Sequence, residues 1–168
     1  MSQEDKLAKA ELERFDESRL EVPFNNYGTR GVVDLVGIWH LDNVREVTAI
    51  EFKSESAVRN ATGANEIIRQ FVRQVENFDS HDDYGWRKDH ITHVLKFYPT
   101  QYVVDHINEN LELYQTVRQQ YDNVGVCLKH PEADAPLVLT NDGVSFSVGA
   151  EPAIEQTDVE GTSILHYS

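Results

Sequence analysis

Val32-Val33-Asp34-Leu35-Val36-Gly37-Ile38 and, after a turn, Val47-Thr48-Ala49-Ile50-Glu51-Phe52-Lys53-Ser54 set three charged residues into two otherwise apolar runs. Strands this rich in Val and Ile are largely buried. Asp, Glu and Lys seldom sit in buried strands unless they are paired or hold a metal. A hairpin turning at Asp42-Asn43 brings Asp34 directly across from Glu51. Side chains alternate along a strand, so Glu51 and Lys53 share a face, and Asp34 joins them as a cross-strand partner. Val33, Leu35, Ile50 and Phe52 are then left for the core on the other face. Opposed carboxylates repel, and a divalent cation bound by both compensates the repulsion.

Val33-Asp34 followed by Glu51-Phe52-Lys53 resembles the signature of the PD-(D/E)XK nuclease superfamily, in which a hairpin carries Asp on one strand and Glu-x-Lys on the next. Val33 stands where the pattern names Pro, a position that varies within the superfamily. The resemblance implies a metal-dependent endonuclease that hydrolyses phosphodiester bonds in DNA. It implies Mg²⁺ or Mn²⁺ held by Asp34, Glu51 and the backbone carbonyl of Phe52, with Lys53 positioning or helping to activate the attacking water. It further implies a Gln or Lys aimed at the site from the next helix, and an extra Glu from the helix that opens the fold.

Both helices are legible. Ile67, Ile68, Phe71, Val72, Val75 and Phe78 form a helical apolar stripe. Glu66, Gln70 and Gln74 make a second stripe beside it, and Arg69 and Arg73 a third. Gln70, a turn nearer the hairpin, is the first choice for the site-directed glutamine and Gln74 the second; a solvated helix face accounts for either one alone. Upstream, residues 3–16 lack Gly and Pro and space Leu7, Ala8, Leu12 and Phe15 for one buried face, which predicts an N-terminal helix. Glu11, beside Leu7, Ala8 and Phe15, is the choice for the extra acid. Glu13 is an alternative, as is Glu21 in Leu20-Glu21-Val22-Pro23-Phe24, the first strand.

Residues 91–98 have strand composition, Pro99-Thr100 ends them and caps a following helix, and Tyr102, Val103, Ile107, Leu111, Tyr114 and Val117 carry the helical period. Val124-Gly125-Val126-Cys127-Leu128 is one more strand. The order is helix, three strands, helix, strand, helix, strand. This predicts an α/β fold with a mixed central sheet flanked by helices. In the terms of the resemblance, it is a restriction-endonuclease-like αβββαβ core with an added αβ unit. Residues 1–130 form that domain. Residues 131–168 are an acidic C-terminal extension with seven acidic residues. There Asn141-Asp142-Gly143 predicts a small hairpin between Leu137-Val138-Leu139 and residues 144–148, with a flexible tail from about Glu151.

Composition bounds these expectations. The 168 residues suit one domain, no apolar stretch is long enough to span a membrane, and the N-terminus is charged rather than signal-like, so the expected location is cytoplasmic. The single cysteine, Cys127, excludes an internal disulfide and reads as a core residue. Seven histidines show no zinc spacing, with His90 and His93 the nearest approach to a metal pair, and no phosphate-binding glycine loop or Gly-x-Ser-x-Gly occurs. Tyr84 and Trp86, in a polar loop over residues 81–89, either anchor that loop or stack on unpaired bases. Net charge is the main objection to a nucleic-acid partner: 29 acidic against 15 basic residues give -14. Distribution softens it, because Arg45, Lys53, Arg59, Arg69 and Arg73 cluster in or near the charged hairpin, and no Lys or Arg follows Lys129. A salt-rich cytoplasm produces such a bias, so a halophilic source is expected. Branched and single-stranded DNA both belong among the candidate substrates. Pairing into a homodimer suits an enzyme that cuts both strands. The alternative is a non-catalytic DNA-binding or protein-interaction module that keeps the fold; in a third reading, Asp34, Glu51 and Lys53 form only a structural ion-pair cluster.

Overall fold

The computed structural model describes residues 2–42, 44–60, 63–78, 90–98, 100–128, 137–138 and 165–166. Strands β2 (Thr29–Leu41) and β3 (Val44–Lys53) pair antiparallel in the predicted register, from Leu35 opposite Ile50 to Leu41 opposite Val44. β1 (Glu17–Asn26) adds antiparallel to β2 and completes a meander. β4 (His90–Phe97) runs parallel to β3, and β5 (Val124–Leu128) parallel to β4. Two-residue strands β6 (Leu137–Val138) and β7 (Leu165–His166) extend the β5 edge antiparallel. The result is a mixed sheet of five principal strands in sequence order, the α/β class expected from the element order.

Helices cover both faces. α1 (Gln3–Leu12) lies on one, where Leu7 and the following Phe15 pack with Leu35, Ile50, Phe52, Val94 and Cys127. On the other, α3 (Ala64–Phe78), α4 (Gln101–Glu109) and α5 (Leu111–Gln120) pack over β4 and β5 through Phe71, Val75, Val103, Ile107, Tyr114 and Val117. Both faces of the parallel strands are therefore covered, and all five residues of β5 are buried. Cys127 is buried in the core, as expected. His93 is fully buried, with its ring edge-on to Phe78 at 5.9 Å, a core histidine.

Several boundaries differ from expectation. The N-terminal helix stops at Leu12 rather than near Asp16, because Phe15 folds onto the sheet and Asp16 accepts the His40 amide at 2.7 Å. The first strand is ten residues long, twice the predicted stretch. A short α2 (Glu55–Asn60) follows β3, with the Ser54 hydroxyl accepting from the Ala57 amide at 3.1 Å. The helix expected after Thr100 breaks at Asn110, whose side chain takes the His106 carbonyl at 2.8 Å and so competes with the continuing helix. Val33 does not share the face of Leu35, Ile50 and Phe52; it joins Val22, Phe24 and Phe78 on the α3 side. The backbone kinks there: Glu21, between the partners of Leu35 and Val33 on β1, has a left-handed φ of 51°. Residues 144–148 and the 81–89 loop lie outside the described residues, as does the tail from Glu151 apart from β7. Among the described residues no helix is long and apolar enough to cross a membrane.

Candidate active site

The hairpin ladder stops one pair short of Asp34 and Glu51. Beyond Leu35 and Ile50 the strands part, and the Phe52 amide donates to the Asp34 carboxylate (Oδ2) at 2.9 Å. This bond fixes Asp34 against the end of β3. Glu51 projects beside it and shares a side-chain hydrogen bond with Asp34. Lys53, two residues on and on the same face, places Nζ 3.7 Å from Glu51 Oε1. Its backbone carbonyl accepts the Tyr98 amide at 2.9 Å, which ties the end of β3 to the end of β4. All three charged groups are half-buried.

Burial, the neighbouring Asp34 carboxylate and the hydrogen bond between them push the Glu51 carboxyl up to about 9, with Lys53 opposing. Such a pair holds a proton unless a cation replaces it. Among the described residues, no three His, Cys, Asp or Glu side chains form a metal cage, so the side-chain donors here are two carboxylates. All-oxygen donors of this charge fit Mg²⁺ or Mn²⁺, which are commonly bound through one or two carboxylates with the remaining positions open.

A third carboxylate approaches from α1, and it is not the expected one. Ser2 caps this helix, with its hydroxyl accepting the Asp5 amide at 3.0 Å, and Gln3 Oε1 accepts the Glu55 amide at 2.9 Å. The first turn of α1 is thereby seated over the end of β3. Glu4, in that turn, feels both Asp34 and Lys53, and burial followed by the Asp34 charge raises its carboxyl. Glu11 lies two turns further along the same stripe, is 1% exposed, and forms a buried ion pair with Lys96 of β4. Its second oxygen takes Arg14 Nη1 at 2.8 Å. Glu11 is therefore not brought together with Asp34 and Glu51. Glu13 is the exposed C-cap of α1, and Glu21 is exposed at the β1 kink.

A cleft of about 180 Å³ opens between the β1–β2 end of the sheet, β3 and α3, lined by Arg30, Glu51, Lys53, Gln70, Arg73 and Gln74 among others. Gly31 leaves room for the ring of Phe24, its partner on β1, which a Cβ at that position would strike. Both glutamines reach the cleft, in different states. Gln70 is exposed and donates to Glu66 Oε1 at 3.1 Å. Gln74 is only 5% exposed, and its Nε2 has no hydrogen-bond partner among the described residues. An unpaired buried amide nitrogen costs stability.

Glu4 and Arg30 escaped the sequence reading. Arg30 lies beyond the kink, so alternation counted from Asp34 does not carry to it. Glu4 shares a helical stripe with Glu11, but which turn overhangs the hairpin depends on where the helix docks.

A family model described as a PD-(D/E)XK nuclease superfamily domain matches residues 2–135. No curated protein and no solved structure matches the chain.

Proposed function

Because the chain belongs to the PD-(D/E)XK nuclease superfamily, we propose that it is a Mg²⁺- or Mn²⁺-dependent endonuclease that hydrolyses phosphodiester bonds in DNA. One observation carries this: Glu51, hydrogen-bonded to Asp34, lines one cleft with Lys53 and with Gln74, whose Nε2 has no partner among the described residues. Asp34, Glu51 and the Phe52 carbonyl hold the cation. When bound, it supplies a lowered pKa for the attacking water and charge stabilisation for the scissile phosphate. Lys53 orients the water and offsets negative charge that grows on the phosphate oxygens. Gln74 donates its free N–H to the water or to a phosphate oxygen. Glu4 adds a carboxylate at the α1 side that orders further water around Lys53.

The test is incubation with supercoiled, linear, branched and single-stranded DNA in high KCl with Mg²⁺ or Mn²⁺. Wild type cleaves at least one substrate, and Lys53→Ala and Glu51→Ala cleave none while keeping the folded circular dichroism spectrum. An active Glu51→Ala protein would sink the mechanism.

A further inference from the structure

The β1–β2 turn holds a feature that the cleavage chemistry does not use. Asn26 and Thr29 pair, so Tyr27 and Gly28 alone form the turn, with φ values of 51° and 93°. Two-residue hairpin turns with both central φ positive favour Asn-Gly. Asparagine is available next door, at Asn25 and Asn26, yet a bulky tyrosine occupies the left-handed position. Asn25 instead supports the turn, its Oδ1 accepting the Gly28 amide at 2.8 Å. Tyr27 gains no packing in return, since its relative exposure is 103%. A strained, wholly exposed aromatic is a contact surface held ready for something else.

Its surroundings say for what. The turn is fastened to α3: Asn26 Nδ2 donates to Asn77 Oδ1 at 3.0 Å, Arg73 donates to the Arg30 carbonyl at 3.1 Å, and Phe24 meets Phe78 edge-on at 6.0 Å. Tyr27 is therefore held at the tip of the β1–β2 turn, two residues beyond the Asn25–Arg30 pair, at the end of the sheet where Arg30 and Arg73 line the cleft with Glu51 and Lys53. In a chain of net charge -14, phosphate contacts are confined to local basic groups such as Arg30 and Arg73, so counterion release is a limited source of nucleic-acid affinity. Stacking adds to it, and an aromatic side chain stacks only on a base whose face is open.

We infer that the Tyr27 turn is a substrate arm for nucleic acid with an unpaired segment: Tyr27 stacks on an open base, and Arg30 and Arg73 take the adjoining phosphates as the strand enters the cleft. The inference builds on the nuclease proposal and names the substrate form that this site prefers.

Fluorescence anisotropy with labelled oligothymidylate and with a duplex of equal length, at matched salt and with Ca²⁺ in place of Mg²⁺, tests it. Wild type should bind the single strand more tightly than the duplex. Tyr27→Asn, a residue suited to the left-handed position, should melt no lower than wild type yet lose about tenfold in single-strand affinity, with duplex binding little changed. Tyr27→Trp should keep the affinity and show indole quenching beyond that of wild type when oligothymidylate binds. Equal affinity for the two forms, no binding of either, or wild-type single-strand affinity in Tyr27→Asn overturns the arm. Cleavage with Mg²⁺ is scored separately. Intact Tyr27-dependent binding without any cleavage supports the arm and overturns the nuclease proposal; cleavage of single strands that Tyr27→Asn leaves unchanged does the reverse.

Discussion

Glu51 is the residue on which stability and chemistry conflict. Its carboxyl titrates near 9 in the folded chain against an ordinary 4.5, so the folded state retains a proton that the unfolded chain releases. Stability is then full below about 4.5 and is lost as pH rises towards 9. Glu51→Gln removes that loss: in metal-free buffer at pH 8 the variant should melt above wild type, and the two should converge as pH falls towards 4.5. Adding Mg²⁺ at pH 8 should raise the wild-type melting temperature and leave the variant nearly unmoved, through binding linkage. A variant that melts below wild type at pH 8 would show that Glu51 is stabilised, not strained, by its surroundings. Gln74 follows the same logic on a smaller scale. Gln74→Leu eliminates a buried amide nitrogen that has no partner among the described residues and should gain about 1 kcal/mol in denaturant unfolding, while cleavage falls about 100-fold as one donor to developing charge is lost. Gln70→Leu, exposed and bonded to Glu66, should leave cleavage within a few-fold of wild type. The opposite ranking would restore Gln70 as the site glutamine.

Among the elements, α1 carries two functions at its two ends. Its first turn, capped by Ser2 and held by Gln3, presents Glu4 to Asp34 and Lys53. Its last turns bury Glu11 with Lys96 against the sheet. Breaking a buried pair strands a charge where water cannot reach it, so Lys96→Ala should cost about 3–5 kcal/mol. Replacing both partners, Glu11→Leu with Lys96→Met, should recover most of that loss, since an apolar pair of similar volume needs no desolvation of charge. Urea unfolding of the single and double variants reads this directly; a double variant as unstable as Lys96→Ala would mean that the pair also positions the helix. Cleavage by the double variant reports whether docking of α1 survives, because Glu4 depends on it.

The whole molecule is governed by its charge of -14. Self-repulsion destabilises a compact acidic chain, and salt screens it. We expect the melting temperature to rise from dilute buffer to molar KCl by roughly 2–4 °C for each kcal/mol of repulsion relieved; full stability in dilute buffer would remove the case for a salt-rich source. Local chemistry determined much of the molecule before any tertiary contact was known. The turn at Asp42-Asn43 and the apolar alternation fixed the β2–β3 register, because a slip of one residue would turn every buried side chain to the wrong face. The same period marked Glu51 and Lys53 as neighbours, and helical spacing brought both Gln70 and Gln74 into view. Docking decided the remainder. Periodicity gives a helix face but not its axial position, so it could not say that Glu4 rather than Glu11 overhangs the hairpin, or that Gln74 is the buried glutamine and Gln70 the exposed one. It also assumes a regular strand, and the kink at Glu21 moved Val33 to the other core. Sequence set the directions in which side chains project along each element; only packing of elements against one another determined which of them meet.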